Sequence, residues 1–298
     1  MTTDPILSTP VASWQAKLFY LMSAGVDVAH KLLKRRQRTR GQVQADYDSG
    51  EWRDFLEARS WERCATLEEF VCPHNTDPIR AMVDGRLQRL TTHDYFRHRT
   101  QQLIAILSEF DQGDDRLLEV GCGAGRNLFA AALAQRWSAL RGLELSPTGI
   151  RVVEQVAAHF QLGSVSAGPI DLLDAQSPEF NELKGATAFT FYCLEQLPSH
   201  TEAVLRRLAA AGVRRVIHIE PTLELFSLGS AQDLASMAYI WRQDYLADLV
   251  DTARRLETAG VIRIVEIRRL GFAPTLRNTP TLVVWEPTAQ DGAAACAI

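Results

Sequence analysis

One short run constrains this chain more than any other: Leu117-Leu118-Glu119-Val120-Gly121-Cys122-Gly123-Ala124-Gly125-Arg126-Asn127, an apolar stretch that stops at an acidic residue and then meets three glycines spaced by two. Glycine at 121, 123 and 125 lets the backbone turn sharply and come within contact distance of a ligand, which a side chain at any of them would obstruct. A helix from Asn127 to Trp137 is expected to follow, with its free N–H groups directed at the same spot. Strand, loop and helix together predict a site for a nucleotide-like cofactor.

The spacing separates two ligand classes. A dinucleotide fingerprint places a small residue three positions after the second glycine, so that helix and strand pack closely and a pyrophosphate reaches the helix N-terminus. In this chain that position is Arg126. Glu119-x-Gly121-x-Gly123-x-Gly125 instead resembles the first motif of the class I S-adenosylmethionine-dependent methyltransferases. The resemblance implies S-adenosylmethionine as cofactor, with an amino-acid tail, a sulfonium and a ribose to hold and no pyrophosphate.

The chain has 298 residues, 46% of them hydrophobic, enough for one main domain with an appended lid. Its net charge of -4 gives no global attraction to nucleic acid, although Lys31-Leu32-Leu33-Lys34-Arg35-Arg36-Gln37-Arg38-Thr39-Arg40 is locally basic. That run reads as a helix end whose cations complement the macrodipole, with RNA or an anionic membrane as the alternatives. Five cysteines, an odd number at irregular spacing with no secretory pattern, predict free thiols in a reducing cytoplasm. The apolar stretch from Val11 to His30 contains Lys17 and Asp27 and is not read as a membrane span. Cys64, Cys72 and His74 form the one soft cluster, without paired ligand spacing, so no metal is expected.

Along the chain, residues 1–10 read as a disordered lead. Val11 to about Arg36 reads as an amphipathic helix carrying Trp14, Leu18, Leu21, Met22, Leu32 and Leu33. Packing on the core is expected for it, a dimer contact or a membrane surface being the alternatives. Residues 41–90 read as short helices and loops, and Thr92 to Phe110 as a helix. Strands are then expected at Arg116–Val120, Leu140–Glu144, Ser164–Ala167, Ala186–Tyr192 and Val213–Glu220. They alternate with helices at Asn127–Trp137, Thr148–Phe160 and His200–Ala211 and a short one at Pro178–Leu183. A long helical tract from Gln232 to Ala259 precedes two last strands, Ile262–Arg269 and Thr281–Glu286. The pattern predicts an α/β fold with helices on both faces of a mostly parallel sheet. Seven strands with an antiparallel end resemble the class I methyltransferase fold from about Asp94 to Pro287. The domain reading is an N-terminal helical extension or lid at 1–93 and a cofactor-binding domain at 94–288, with a helical insertion at 222–243 and a flexible tail at 289–298.

Carboxylates fall at or just past the end of each expected parallel strand: Glu119, Glu144, Asp171, Glu195 and Glu220, separated by 25, 27, 24 and 25 residues. Ligands bind outside the carboxyl ends of such strands, so all five should line one rim. Glu144 has two oxygens for two ribose hydroxyls. By the resemblance, Asp171 meets the adenine amino group between Ile170 and Leu172. Glu119 orients the cofactor's amino end, and Arg99 or Tyr95 holds its carboxylate. The resemblance carries further contacts to Gly121, Cys122, Gly123, Gly125, Asn127, Leu145 and Tyr192. Methyl transfer is an in-line displacement that asks mainly for alignment and exclusion of water. An oxygen nucleophile also gains from a base, for which Glu195, His200, His218 and Glu220 are the candidates, Glu220 the better placed of the last two.

Trp14, Tyr20, Tyr47, Trp52, Trp61, Tyr239, Trp241 and Tyr245 lie in or beside the N-terminal extension and the 222–243 insertion and are candidates to roof the site. Tyr47-Asp48-Ser49-Gly50-Glu51-Trp52 resembles a segment of sugar or glycan methyltransferases. The expected reaction is methyl transfer to an O or N atom of a small natural-product or sugar-like acceptor. An RNA or protein methyltransferase using residues 31–40 is the alternative. Against the latter, the Asn-Pro-Pro-Tyr motif of many base-N methyltransferases is replaced by Tyr192-Cys193-Leu194-Glu195-Gln196. A homodimer is compatible with the sequence.

Overall fold

Asp84-Gly85 sets the first surprise of the fold. Both residues have positive φ, 49° and 74°, the requirement of a two-residue primed hairpin turn. They join β2 (Pro78–Val83) to β3 (Arg86–Thr91), and β1 (Ser8–Pro10) adds to the far side in the order β1-β3-β2. Residues 41–90 are therefore not only short helices and loops, and 8–10 belong to a strand. The Asp-Gly pair is the local signal that marks this hairpin. The computed structural model describes residues 6–33, 41, 50, 52–273 and 277–288. Residues 34–40 of the basic run, most of the 47–52 segment with Tyr47, and the 289–298 tail lie outside them.

The extension also holds α1 (Ser13–Leu33), α2 (Trp52–Ala58) and α3 (Leu67–Val71). A further helix, α4 (Thr92–Glu109), is capped by Thr91, whose hydroxyl accepts from the Asp94 N–H. The alternating unit follows: β4 (Arg116–Val120), α5 (Arg126–Leu133), β5 (Ala139–Glu144), α6 (Pro147–His159), β6 (Val165–Pro169), β7 (Thr187–Phe191), α7 (Thr201–Ala210) and β8 (Arg215–Glu220). Then come α8 (Ala231–Gln243), α9 (Leu249–Thr258), β9 (Ile262–Arg269) and β10 (Thr281–Pro287). The tract expected as one helix from Gln232 to Ala259 is two. Asp244 takes the left-handed conformation at φ 58° and caps α8, so the chain leaves the helix there and resumes it at Leu249.

The seven strands run in the order β6-β5-β4-β7-β8-β10-β9, with β10 antiparallel to both of its neighbours and the rest parallel. Each central strand is apolar on both faces because helices cover both sides. Leu117 joins one apolar layer with Leu103, Leu107, Leu128 and Phe129 of α4 and α5. Leu118 joins the other with Leu205, Leu208 and Leu256 of α7 and α9. Chain order reverses at β4, which is followed by β5 and β6 on one side and by β7 and β8 on the other.

The extension is tied to this body by charge as well as by apolar contact. Tyr20 of α1 packs with Met82, Leu87, Ala235 and Ala273. Asp27, fully buried, accepts from Arg242 of α8 at 2.7 Å and from Arg277. Removing the carboxylate charge leaves two cations at a buried spot without their partner, which costs more than the pair gains over a neutral alternative. Asp27→Asn is expected to lower the unfolding free energy by roughly 2 kcal/mol. Urea denaturation would register this as a lower midpoint with unchanged slope; an unshifted midpoint would refute the clamp.

Candidate active site at the reversal of strand order

Crevices of open α/β sheets form where strand order reverses, outside the carboxyl ends of the strands. The reversal here lies between β4 and β7, and a cavity of about 790 Å³ opens above it. Its floor is the glycine loop. Gly121, Gly123 and Gly125 have φ of 74°, 53° and 76°, a region closed to most side chains. A methyl group on Gly121 would lie 2.7 Å from the Cys193 Cβ, and one on Gly123 would lie 2.6 Å from the Trp52 ring. Gly149 in the first turn of α6 allows an equally close approach, since a Cβ there would sit 2.9 Å from the Gly123 carbonyl oxygen.

Glu144, at the end of β5, holds this loop. One carboxylate oxygen accepts from the Gly123 N–H at 2.7 Å and the other from the Ser146 N–H at 2.9 Å. It lines the cavity together with Leu145, Ile170, Asp171 and Leu172. Asp171 also accepts from the Leu173 N–H at 2.9 Å, which fixes its turn.

A buried relay lies behind the loop. Arg99 donates to the Asn127 side-chain oxygen at 2.5 Å, and the Asn127 amide donates to Glu119 at 2.6 Å. The Arg99 guanidinium also lies 4.5 Å from the centre of the Phe191 ring. One nitrogen of Arg99 and one oxygen of Glu119 are buried with no hydrogen-bond partner, an arrangement that costs free energy unless a ligand completes it. Burial pushes the Glu119 carboxyl up to about 8, against the opposing pull of Asn127 and Arg99. Arg99 and Asn127 face the cavity. Tyr95 does not; it is buried beside Phe96, and burial raises its hydroxyl further.

The four expected base candidates separate clearly. Glu195 lines the cavity, its oxygens accepting from Gln196 at 2.9 Å and Asn278 at 3.0 Å. His218 lies inside the sheet, hydrogen-bonded to the Thr190 hydroxyl at 2.9 Å and near Trp285, with burial lowering its imidazole to about 3. It is a neutral core histidine. His200 is exposed at the N-terminus of α7 and does not face the cavity. Glu220 is fully buried beneath the β7 exit, where its carboxylate accepts from the N–H groups of Cys193, Leu194 and Glu195 at 3.0, 3.1 and 3.3 Å. It splints the turn that carries Tyr192, Cys193 and Glu195. Strand alternation does put His218 and Glu220 on one face, but that face is packed. The five carboxylates accordingly fall into two groups, with Glu144, Asp171 and Glu195 lining the cavity while Glu119 and Glu220 support it from below.

Other walls escape a motif reading. Trp52, Phe55 and Phe70 come from the extension, Tyr239 and Tyr245 from either side of the Asp244 break. Of the aromatics named as roof candidates, Trp52, Tyr239 and Tyr245 face the cavity. Trp61 is core, and Trp14 and Trp241 are exposed. Asn278 had no sequence signal at all; it reaches Glu195 from the β9–β10 connection, and its carbonyl oxygen accepts from the Tyr192 hydroxyl.

No protein-family model and no curated protein matches this chain. Solved structures do. Magnesium protoporphyrin IX methyltransferase from Synechocystis PCC 6803, solved with bound SAH, is 14% identical and aligns over 84% of this chain and 100% of its own, with a TM-score of 0.52. This chain has the class I methyltransferase fold. Geranyl diphosphate C-methyltransferase from Streptomyces coelicolor A3(2) aligns at 12% identity over 64% of this chain and 80% of its own, with a TM-score of 0.47. A SAM-dependent methyltransferase from Aquifex aeolicus aligns at 15% identity over 62% and 89%, with a TM-score of 0.45.

Glu220→Gln distinguishes a splint from a base. An amide keeps one acceptor and turns an N–H toward backbone donors, so stability is expected to fall by about 1–3 kcal/mol in urea denaturation. A base that merely faced a cavity would leave stability within about 0.5 kcal/mol of the native value.

Proposed function

We propose that this chain is an S-adenosylmethionine-dependent methyltransferase acting on an oxygen or nitrogen atom of a small natural-product or sugar-like acceptor. The observation that carries the cofactor assignment is the relay Glu119–Asn127–Arg99. Its two ends, a guanidinium and a carboxyl, have one unsatisfied buried atom each, the complement of an amino-acid tail with a carboxylate and an ammonium. The two carboxylate oxygens of Glu144 suit two ribose hydroxyls, and Asp171 between Ile170 and Leu172 suits an adenine edge and its faces. Bound there, the cofactor supplies an electrophilic methyl group on a sulfonium.

The protein's own work is then alignment, desolvation and proton removal. Trp52, Phe55, Phe70, Tyr239 and Tyr245 exclude water and hold an acceptor by its apolar faces. Glu195, fixed by Gln196 and Asn278, takes the proton from the acceptor's hydroxyl or amine as the methyl group is received. Glu220 acts through it by fixing the turn on which it sits.

The pH dependence of cofactor binding tests the relay. With its carboxyl raised to about 8, Glu119 carries a proton at pH 7, yet a cationic amine favours the carboxylate form. Calorimetry with S-adenosylhomocysteine is expected to show affinity rising between about pH 7 and 8.5, with proton release at pH 7. Glu119→Gln should flatten the profile and weaken binding about tenfold. A flat profile for the native chain removes Glu119 from the site; failure to bind, with tight NAD binding instead, removes the cofactor assignment.

Methyl-labelled cofactor with a fractionated extract tests the acceptor. Label is expected in a small-molecule fraction, and Glu195→Gln is expected to cut turnover by roughly 10²–10⁴ while leaving S-adenosylhomocysteine affinity nearly unchanged. Label recovered only in RNA or protein would refute the small-molecule reading.

A further inference from the structure

Most of the large apolar side chains that the described residues leave in solvent sit on one helix. The inner face of α1 is spent on the protein: Ala16, Phe19, Tyr20 and Ala24 pack with the small sheet and α8, and Asp27 pairs with two arginines. The opposite face carries Trp14, Leu18, Leu21, Met22, Val26 and Leu33, exposed by 66, 52, 45, 64, 64 and 85%. They follow the three-and-four spacing of one helical stripe, over 21 residues, or about 30 Å. Gly25 and Ala29 complete the stripe without adding charge. A contiguous apolar strip of this kind on a protein surface marks an interaction site.

The charge that accompanies the strip selects its occupant. From Val28 to Ala45 the sequence contains no aspartate or glutamate, and it carries Lys31, Lys34, Arg35, Arg36, Arg38 and Arg40, in a chain whose net charge is -4. The cations are thus concentrated directly after the apolar helix. A second copy of the chain would satisfy the apolar strip and bring more of the same positive charge. An anionic bilayer satisfies both, the apolar side chains entering the boundary between headgroups and acyl chains while the lysines and arginines meet the lipid phosphates. No described helix is long and apolar enough to cross a membrane, which leaves an in-plane mode for α1.

We propose that α1 docks this protein in-plane on an anionic lipid surface, its outward apolar face inserted. The proposal rests on the helix and the basic sequence that follows it and does not depend on the chemistry of the cavity. Its test is sedimentation of the full chain with vesicles of phosphatidylcholine, with and without phosphatidylglycerol. Binding to the anionic vesicles is expected to be at least about tenfold tighter than to the neutral ones and to weaken as salt rises. Leu18→Glu combined with Met22→Glu should reduce that binding about tenfold or more with an unchanged thermal melt, because both side chains are already in water. Lys34→Glu with Arg36→Glu should lower it for anionic vesicles only. Failure of the native chain to bind, equal binding to both vesicles, or undiminished binding by Leu18→Glu/Met22→Glu would overturn the proposal. So would a native dimer that Leu18→Glu/Met22→Glu converts to a monomer without any vesicle binding, which would assign the strip to self-association.

Discussion

The fold turns on a close approach that only glycine permits: the end of β4 passes so near the turn leaving β7 that the Gly121 backbone and the Cys193 side chain occupy adjoining space. Two parallel strands that are neighbours in the sheet but distant in sequence must diverge at their ends to leave a crevice, and the chain can line that crevice closely only where it has no side chain to accommodate. Everything that faces the cavity is placed relative to this junction. Glu144 pins the loop from the β5 side, α6 can close on it because Gly149 has no side chain, and the Tyr192–Glu195 turn is pinned from the β8 side.

Buried carboxylates act here as structural braces as much as chemical groups. Glu220 gathers three N–H groups at the start of a short helical turn, where donors would otherwise go unpaired. Burial nevertheless pushes its carboxyl up to about 7, so desolvation and hydrogen bonding oppose one another at the same atom. Glu119 experiences the same opposition with fewer donors and is raised further. The difference is physical: the Glu220 carboxylate meets three backbone donors, while Glu119 meets the Asn127 amide and the Leu128 backbone and keeps one unsatisfied oxygen.

The parallel sheet was legible because buried strands are apolar on both faces and their ends carry glycine or acidic residues; Arg116–Val120 occupies the very position expected. The hairpin at Asp84-Gly85 was also written in the sequence, but Arg80, Arg86 and Arg89 obscure its alternation. The break at Asp244 was not, since an aspartate in a helical tract has no flanking glycine or proline to announce that it leaves the helix; here the Leu246 N–H reaches the Glu195 carbonyl oxygen. At the site, residues tied to a loop motif could be named in advance. Asn278 and the splinting role of Glu220 could not, because both depend on which side chains a remote connection or a neighbouring strand brings together.

Asp27 links the apolar helix directly to the residues beside the cavity wall. Its second oxygen is taken by Arg277, and the next residue, Asn278, is bonded to both Tyr192 and Glu195. The apolar helix and the wall of the cavity thus share one short stretch of backbone. Any free-energy coupling carried by such a stretch is reciprocal: to the extent that steadying the outer helix favours filling of the cavity, a filled cavity returns the same increment to the helix. No atom of α1 lines the cavity; Asp27 meets its wall through Arg277 and the neighbouring Asn278.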